Sequence, residues 1–178
     1  MSLHRVWRVG SNIDTDALAP GKYMKLGLKE MSRHCLENDY PGLAANISSG
    51  DVLVAGANFG IGSSREQAVG VLVELGVKAV IAPSFGGLYF RNAFNLGLLA
   101  IVCPDAGSIG EGALVEIDTG TSVIRRAVRP SALAGAGPVT DANPLVLSCQ
   151  KIPGFLIDMV VAGGLFKQLE QEYLAKHA

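Results

Sequence analysis

Charge of one sign is not in excess in this sequence. Fifteen lysines and arginines stand against sixteen acidic residues, a formal net charge of -1, so the balance gives no sign of a nucleic-acid partner, whose capture rests on basic surface. The densest basic cluster, Arg125, Arg126 and Arg129, reads as the exposed positions of a β ribbon. Long apolar runs are missing too: none reaches the ~18–20 residues of a membrane span. Met1 to Val9 carries Arg5 and Arg8 inside its apolar stretch, unlike a secretory leader, and the expected location is the cytoplasm. Cysteine is scarce. Cys35, Cys103 and Cys149 lie far apart without CxxC spacing, which argues against a disulfide framework and against metal binding by this chain alone. There is no GxxxxGK[ST] phosphate loop and no GxSxG elbow, and His4, His34 and His177 fall outside every motif segment. A nucleotide P-loop and a serine-hydrolase triad therefore have little support.

What is present is apolar. Hydrophobic residues make up 49% of the 178 positions and charged residues only 17%, enough for one folded domain with a real core, expected to span residues 1–178. Leu3 to Val9 alternates as a strand, and Gly10 to Pro20 is loop material. Tyr23 to Leu36 reads as a helix with Met24, Leu28, Met31 and Cys35 along one stripe. Val52 to Ala55 is a short buried strand before the glycine-rich run Gly56 to Ser64. Ser63 to Leu75 then reads as a helix that is apolar on most sides, hence buried. A strand at Ala79 to Ala82, a helix at Phe85 to Leu96 and a strand at Leu98 to Val102 follow. This succession predicts an α/β fold, a mostly parallel central sheet flanked by helices. After Pro104, Ala113 to Asp118 and Ser122 to Val128 flank Thr119-Gly120-Thr121 as a β-hairpin. Leu133 to Asn143 reads as irregular, and Phe155 to Tyr173 as a C-terminal helix interrupted at Gly163-Gly164.

The sharpest feature is Asn58-Phe-Gly-Ile-Gly-Ser-Ser-Arg-Glu-Gln67, between a strand and a buried helix. A helix N-terminus leaves amides unpaired and carries partial positive charge. Glycines at 60 and 62 let the chain approach a ligand closely. Ser63 and Ser64 add hydroxyls, and Arg65 adds a planar fork for carboxylate or phosphate. Local chemistry leaves two readings open: an anion-binding corner, or a capping box in which Ser63 pairs with Glu66.

The motif Gly56-Ala-Asn-Phe-Gly-Ile-Gly-Ser-Ser-Arg-Glu-Gln-Ala68 resembles the signature loop of the swivelling domains of the aconitase superfamily. Gly10 to Pro20 (GSNIDTDALAP) and Ala82 to Gly97 (APSFGGLYFRNAFNLG) match in the same order. The resemblance runs from about Val6 to Leu165 and is weakest between Lys22 and Ser49. It implies a β/β/α swivelling fold acting as the small subunit of a hydro-lyase, with a large partner subunit that holds a [4Fe–4S] cluster through its own cysteines. It implies that Ser63 acts as base on a substrate carbon, while Gly62, Ser64 and Arg65 hold a substrate carboxylate. It also places Gly10 to Pro20 near the active site. Asp14 and Asp16 read in the first place as turn caps by Asx hydrogen bonds. Arg91 and Asn92 read as braces behind the loop.

Two positions depart from the family pattern. Gln67 replaces a histidine often found there, with little effect expected. More important, Gly21-Lys-Tyr-Met-Lys-Leu-Gly-Leu28, which the resemblance places against the variable arm of the substrate, contains no arginine. Met24, Leu26 and Leu28 offer apolar surface instead, which favours a hydroxy di-acid with an isopropyl or methyl arm, such as isopropylmalate, citramalate or dimethylmalate. Lys22 or Lys25 would serve a homocitrate-like tri-acid. A non-catalytic anion-binding module is the reading from another class, and intact Ser63 and Arg65 argue against it.

Overall fold

The computed structural model describes Ser2–Ala127 and Leu145–His177. Short β-branched and aliphatic runs build one sheet at its centre. Its strands are β1 (Leu3–Arg8), β2 (Val52–Val54), β3 (Ala79–Ala82), β4 (Leu99–Val102), β5 (Leu114–Asp118), β6 (Val123–Arg126) and β7 (Val146–Ser148), in the order β4-β3-β2-β1-β5-β6-β7. The first four run parallel, with Val6 opposite Val52, Val52 opposite Ala79 and Ala79 opposite Leu99. The last three are antiparallel, joined to the rest where Arg5 faces Leu114. The expected hairpin therefore does not hang off the sheet but extends it, with Asp118 opposite Val123. The sheet also curls: Gln150, just beyond β7, donates its N–H to the carbonyl of Val102 at the end of β4 across 2.8 Å. The two edges meet, and the unpaired ladder groups of an open edge are partly satisfied.

β2 and β3 are buried at every position, as expected of parallel strands covered on both faces. The covering comes from α4 (Gln67–Glu74) and α5 (Gly87–Asn95), the crossovers from β2 to β3 and from β3 to β4. On the N-terminal side lie α1 (Thr15–Leu18), a 3₁₀ turn (Gly21–Tyr23), α2 (Leu28–Ser32) and α3 (Leu43–Asn46). The single helix expected over Tyr23 to Leu36 is broken up. Gly27 is extended before α2, and Leu36 adopts a left-handed φ of 57° that no helix continues through. Met31 and Cys35 are buried as the stripe required, whereas Met24 and Leu28 stay partly exposed. The C-terminal helix is divided where expected, into α6 (Gly154–Ala162) and α7 (Leu165–His177), with Gly163 at a left-handed φ of 86°. No helix among the described residues is long and apolar enough to cross a membrane. Arg125 pairs with Asp118 at 3.5 Å, while Arg129 and the stretch from Leu133 to Asn143 lie outside the described residues.

Candidate active site

Three loops leave the C-terminal ends of β1, β2 and β3 side by side, where ligands of open α/β sheets gather. The first is residues 9–14, the second 55–66, the third 83–86. Main-chain bonds lace them together: Asn12 N–H to the Ala57 carbonyl (2.8 Å), Gly60 N–H to Ile13 (2.7 Å), Thr15 N–H to Ile61 (2.9 Å), Phe59 N–H to Ser84 (3.0 Å) and Gly86 N–H to Phe59 (2.8 Å). Side chains add a second layer, with Asn58 Nδ2 donating to Asn12 Oδ1 at 2.9 Å and the Asn58 N–H donating to Ser84 Oγ at 2.9 Å. The three segments singled out in the sequence thus form one body.

The glycines are needed for this closeness. Gly60 has a φ of 75°, and a Cβ there would lie 2.1 Å from the ring of buried Tyr89; a Cβ on Gly86 would lie 2.4 Å from the Gly60 carbonyl oxygen. Gly62, φ 103°, turns the chain so that Ser63 and Ser64 face outward.

The turn itself differs from the expected capping box. α4 starts at Gln67, four residues later than expected, and its N-cap, Glu66, makes no side-chain cap bond. Ser63 is instead occupied by Thr15. Its N–H donates to Thr15 Oγ1 at 3.0 Å, and its Oγ lies 2.9 Å from the same atom. The Arg65 N–H points at Ser63 Oγ across 3.4 Å. Ser63 to Arg65 therefore form an irregular, outward-facing run. Its Ser64 and Glu66 amides meet no acceptor among the described residues. Free amides of this kind attract an anion.

Arg65 leans back toward the first loop. Its Nη1 donates to Asp16 Oδ1 and, at 3.0 Å, to the carbonyl of Ala19. Of the two acids weighed as turn caps, only Asp14 is one: its Oδ1 accepts the Ala17 N–H at 2.6 Å and caps α1. Asp16 pairs with Arg65 because the helical turn of α1 directs it toward the second loop. Asn92 braces the turn, donating through Nδ2 to the Ser64 carbonyl at 3.0 Å. Arg91 is exposed and makes no hydrogen bond to the loop among the described residues.

Lys25 and Leu26 sit on the exposed stretch between the 3₁₀ turn and α2. The start of that stretch adjoins the site, since Ala19 binds Arg65 and a Cβ on Gly21 would lie 3.7 Å from Asp16 Oδ1. Leu28 is taken by packing: its methyl groups lie over Gly70 of α4, 3.1 Å from where a Cβ would be. Lys22 is likewise engaged, 2.8 Å from Glu37 Oε1. Tyr23 Oη donates to the same carboxylate at 2.9 Å, and His34 Nδ1 is 2.6 Å from its other oxygen. Together these bonds, the Lys22 bond foremost, hold the Glu37 carboxyl down at about 2.

Thr15 lies between Asp14 and Asp16, and no motif marks it as a site residue in the sequence. Its position between two acids is the only signal the sequence offers; a hydroxyl buried to 1% exposure has to find polar partners across the chain.

This is the architecture of an aconitase-type swivelling domain. The family model for the aconitase C-terminal domain matches residues 24–106. The chain is 37% identical over 164 residues to the 3-isopropylmalate dehydratase small subunit of Methanosarcina mazei, covering 92% of this chain and 93% of that protein. It is 35% identical over 175 residues to 3-isopropylmalate dehydratase small subunit 1 of Thermotoga maritima, covering 97% and 94%. The crystal structure of 3-isopropylmalate dehydratase from Methanocaldococcus jannaschii superposes with a TM-score of 0.82 at 35% identity, over 98% of this chain and 96% of that one. The chain belongs to the family of 3-isopropylmalate dehydratase small subunits.

The family implies an iron–sulfur cluster. No group of three or more His, Cys, Asp or Glu side chains able to hold a metal occurs among the described residues. Cys35 is in the core, where burial pushes its thiol up to about 12. Where the sheet edges meet, Cys103 Sγ donates to the Ser148 carbonyl at 3.9 Å and Cys149 Sγ to the Leu147 carbonyl at 4.0 Å; the proximity of the two thiols lowers the first and raises the second.

Proposed function

We propose that this chain is a single swivelling domain, the small subunit of a hydro-lyase that moves water between adjacent carbons of 2-isopropylmalate, and that it works only when docked on a large subunit. The observation that carries this reading is the outward-facing Ser63-Ser64-Arg65 turn, pinned from below by Thr15 and from behind by Asn92. In this scheme Ser63 Oγ, in its anionic form, takes the proton from the substrate carbon: the C–H bond breaks, the O–H bond of a neutral Ser63 forms, and the electron pair closes the C=C bond as hydroxide leaves the neighbouring carbon. A [4Fe–4S] cluster on the partner subunit would supply the Lewis acid that accepts that hydroxide. The serine is a weak base unless its anion is favoured by donors and positive charge. Here the groups within hydrogen-bond reach of Ser63 Oγ on this chain are the Thr15 hydroxyl at 2.9 Å and the Arg65 N–H at 3.4 Å.

A substrate carboxylate would be bound by the free amides of Ser64 and Glu66, with the hydroxyl of Ser64 and the backbone opened by Gly62. Both Arg65 contacts use Nη1, which leaves the Nε–Nη2 edge of the fork for the same carboxylate. Lys25 and Leu26 face the variable arm. With Lys22 held by Glu37 and no arginine in the segment, the apolar side chains there favour an isopropyl arm over a carboxylate. Homocitrate, citramalate and dimethylmalate are the competing substrates, and Lys25 is the group that would serve the first.

The test is to reconstitute the chain with a large subunit and assay the hydroxy di-acids in parallel. Ser63→Ala is expected to lower kcat by ~10²–10⁴ with KM largely kept. Arg65→Lys should raise KM as well, because a point charge replaces a two-pronged contact. Near-normal kcat in Ser63→Ala would remove Ser63 from its role.

A further inference from the structure

We infer that Thr15 is a positioning residue whose hydroxyl proton is aimed at Ser63 Oγ and steadies that oxygen while it carries negative charge. The inference rests on the assignment of Ser63 as base. Thr15 is 1% exposed, so solvent does not compete for its hydroxyl. That hydroxyl has one proton and two acceptor lone pairs. One lone pair is used by the Ser63 N–H at 3.0 Å. The remaining contact is Ser63 Oγ at 2.9 Å. When Ser63 has lost its proton, Thr15 is the only one of the two oxygens with a proton to give.

Ser63 Oγ then has two donors, the Thr15 hydroxyl and, more weakly at 3.4 Å, the Arg65 N–H. A hydrogen bond to the charged form favours it. The fold fixes this pairing twice over. Thr15 N–H binds the Ile61 carbonyl at 2.9 Å, and a Cβ on Gly62 would press to 3.2 Å from Thr15 Oγ1. A side chain at position 62 would therefore crowd the hydroxyl pair. Thr15 touches no substrate in this scheme; it acts through Ser63.

The experiment compares Thr15→Val, Thr15→Ser and Ser63→Ala in the assembled enzyme, with thermal unfolding of each. Thr15→Val keeps the shape and removes the hydroxyl. It should lower kcat at neutral pH by roughly 10–100-fold with KM kept. It should also move the acid limb of the kcat/KM profile upward by about one to two pH units, the loss of one hydrogen bond to a charged oxygen. Thr15→Ser keeps the hydroxyl and should restore both the rate and the limb. A role confined to holding the loop would instead lower the rate at all pH values without moving the limb. An unshifted limb in Thr15→Val, or a Thr15→Ser enzyme as slow and as shifted as it, overturns the inference. If Thr15→Val does not fold, Thr15→Cys, a weaker donor, takes its place with a smaller shift in the same direction, and an unshifted limb there overturns it equally. Ser63→Ala separates the two claims. An inactive Ser63→Ala beside an unshifted Thr15→Val sinks Thr15 alone, whereas an active Ser63→Ala sinks the base assignment and Thr15 with it.

Discussion

Asn92 Nδ2 donates to the carbonyl oxygen of Ser64 across 3.0 Å, so the middle of α5 holds the turn on which Ser63 and Arg65 stand. The bond is partly exposed, and its loss should cost about 0.5–1.5 kcal/mol of stability. Its larger effect should fall on binding, since the amides of Ser64 and Glu66 would no longer be held in one orientation. Asn92→Ala is therefore expected to raise KM several-fold while lowering the unfolding temperature only slightly. A variant that loses stability but keeps its KM would show that the brace does not reach the site.

Gly60→Ala tests the closeness of the loops. The new Cβ would enter the ring of Tyr89, and the backbone would keep a left-handed torsion that alanine disfavours. Tyr89 is 1% exposed and stacked beside Phe85 with ring centroids 6.5 Å apart, so it has no room to withdraw. A destabilisation of roughly 2 kcal/mol or more is expected in denaturant unfolding. A loss under about 0.5 kcal/mol, within the range of ordinary surface substitutions, would mean the second loop can shift as a body.

Leu26→Arg tests the reading of the substrate arm. Burying three carbons of an isopropyl arm contributes about 2 kcal/mol at 0.8 kcal/mol per CH₂, and a carboxylate in the same place loses water without a fork to meet it. The ratio of kcat/KM for isopropylmalate over homocitrate should exceed one in the wild type and fall in Leu26→Arg. A wild type that already prefers homocitrate would point to Lys25 as the contact.

Acid unfolding tests the Glu37 cluster. Its carboxyl sits at about 2 in the folded chain, below the ordinary 4.5, held there first by the Lys22 hydrogen bond and then by His34. A group lowered on folding contributes stability above its unfolded value and loses it as pH falls through the folded one. The contribution is therefore complete above 4.5 and fades from there to about 2. Glu37→Gln should be less stable at neutral pH and show a flatter decline between those values, converging with the wild type below them. Parallel curves for the two proteins would mean the cluster is no tighter in the folded chain than in the unfolded one.

Much of this protein was legible along the chain. Buried strands such as Ala79–Ala82 announce themselves because a strand covered on both faces must be apolar at every position. The glycine punctuation at 60, 62, 97 and 163 marks where the chain turns. The motif around Ser63, Ser64 and Arg65 also stands out along the chain, although its residue types alone left an anion-binding corner and a capping box equally open. What the sequence by itself could not decide was who meets whom. Whether Ser63 caps the helix or faces outward depends on the Thr15 hydroxyl, 48 positions away. Whether Asp16 caps a turn or pairs with Arg65, and whether Lys22 is available or tied to Glu37, depends on the direction in which short helical turns send side chains. The curl that brings Gln150 to Val102 joins the two edges of one sheet, a closure set by strand twist summed over seven strands. Local composition fixes the elements because propensity and burial act over a few residues. Pairing across the chain is settled only when the core forms and each buried polar group has to find its partner.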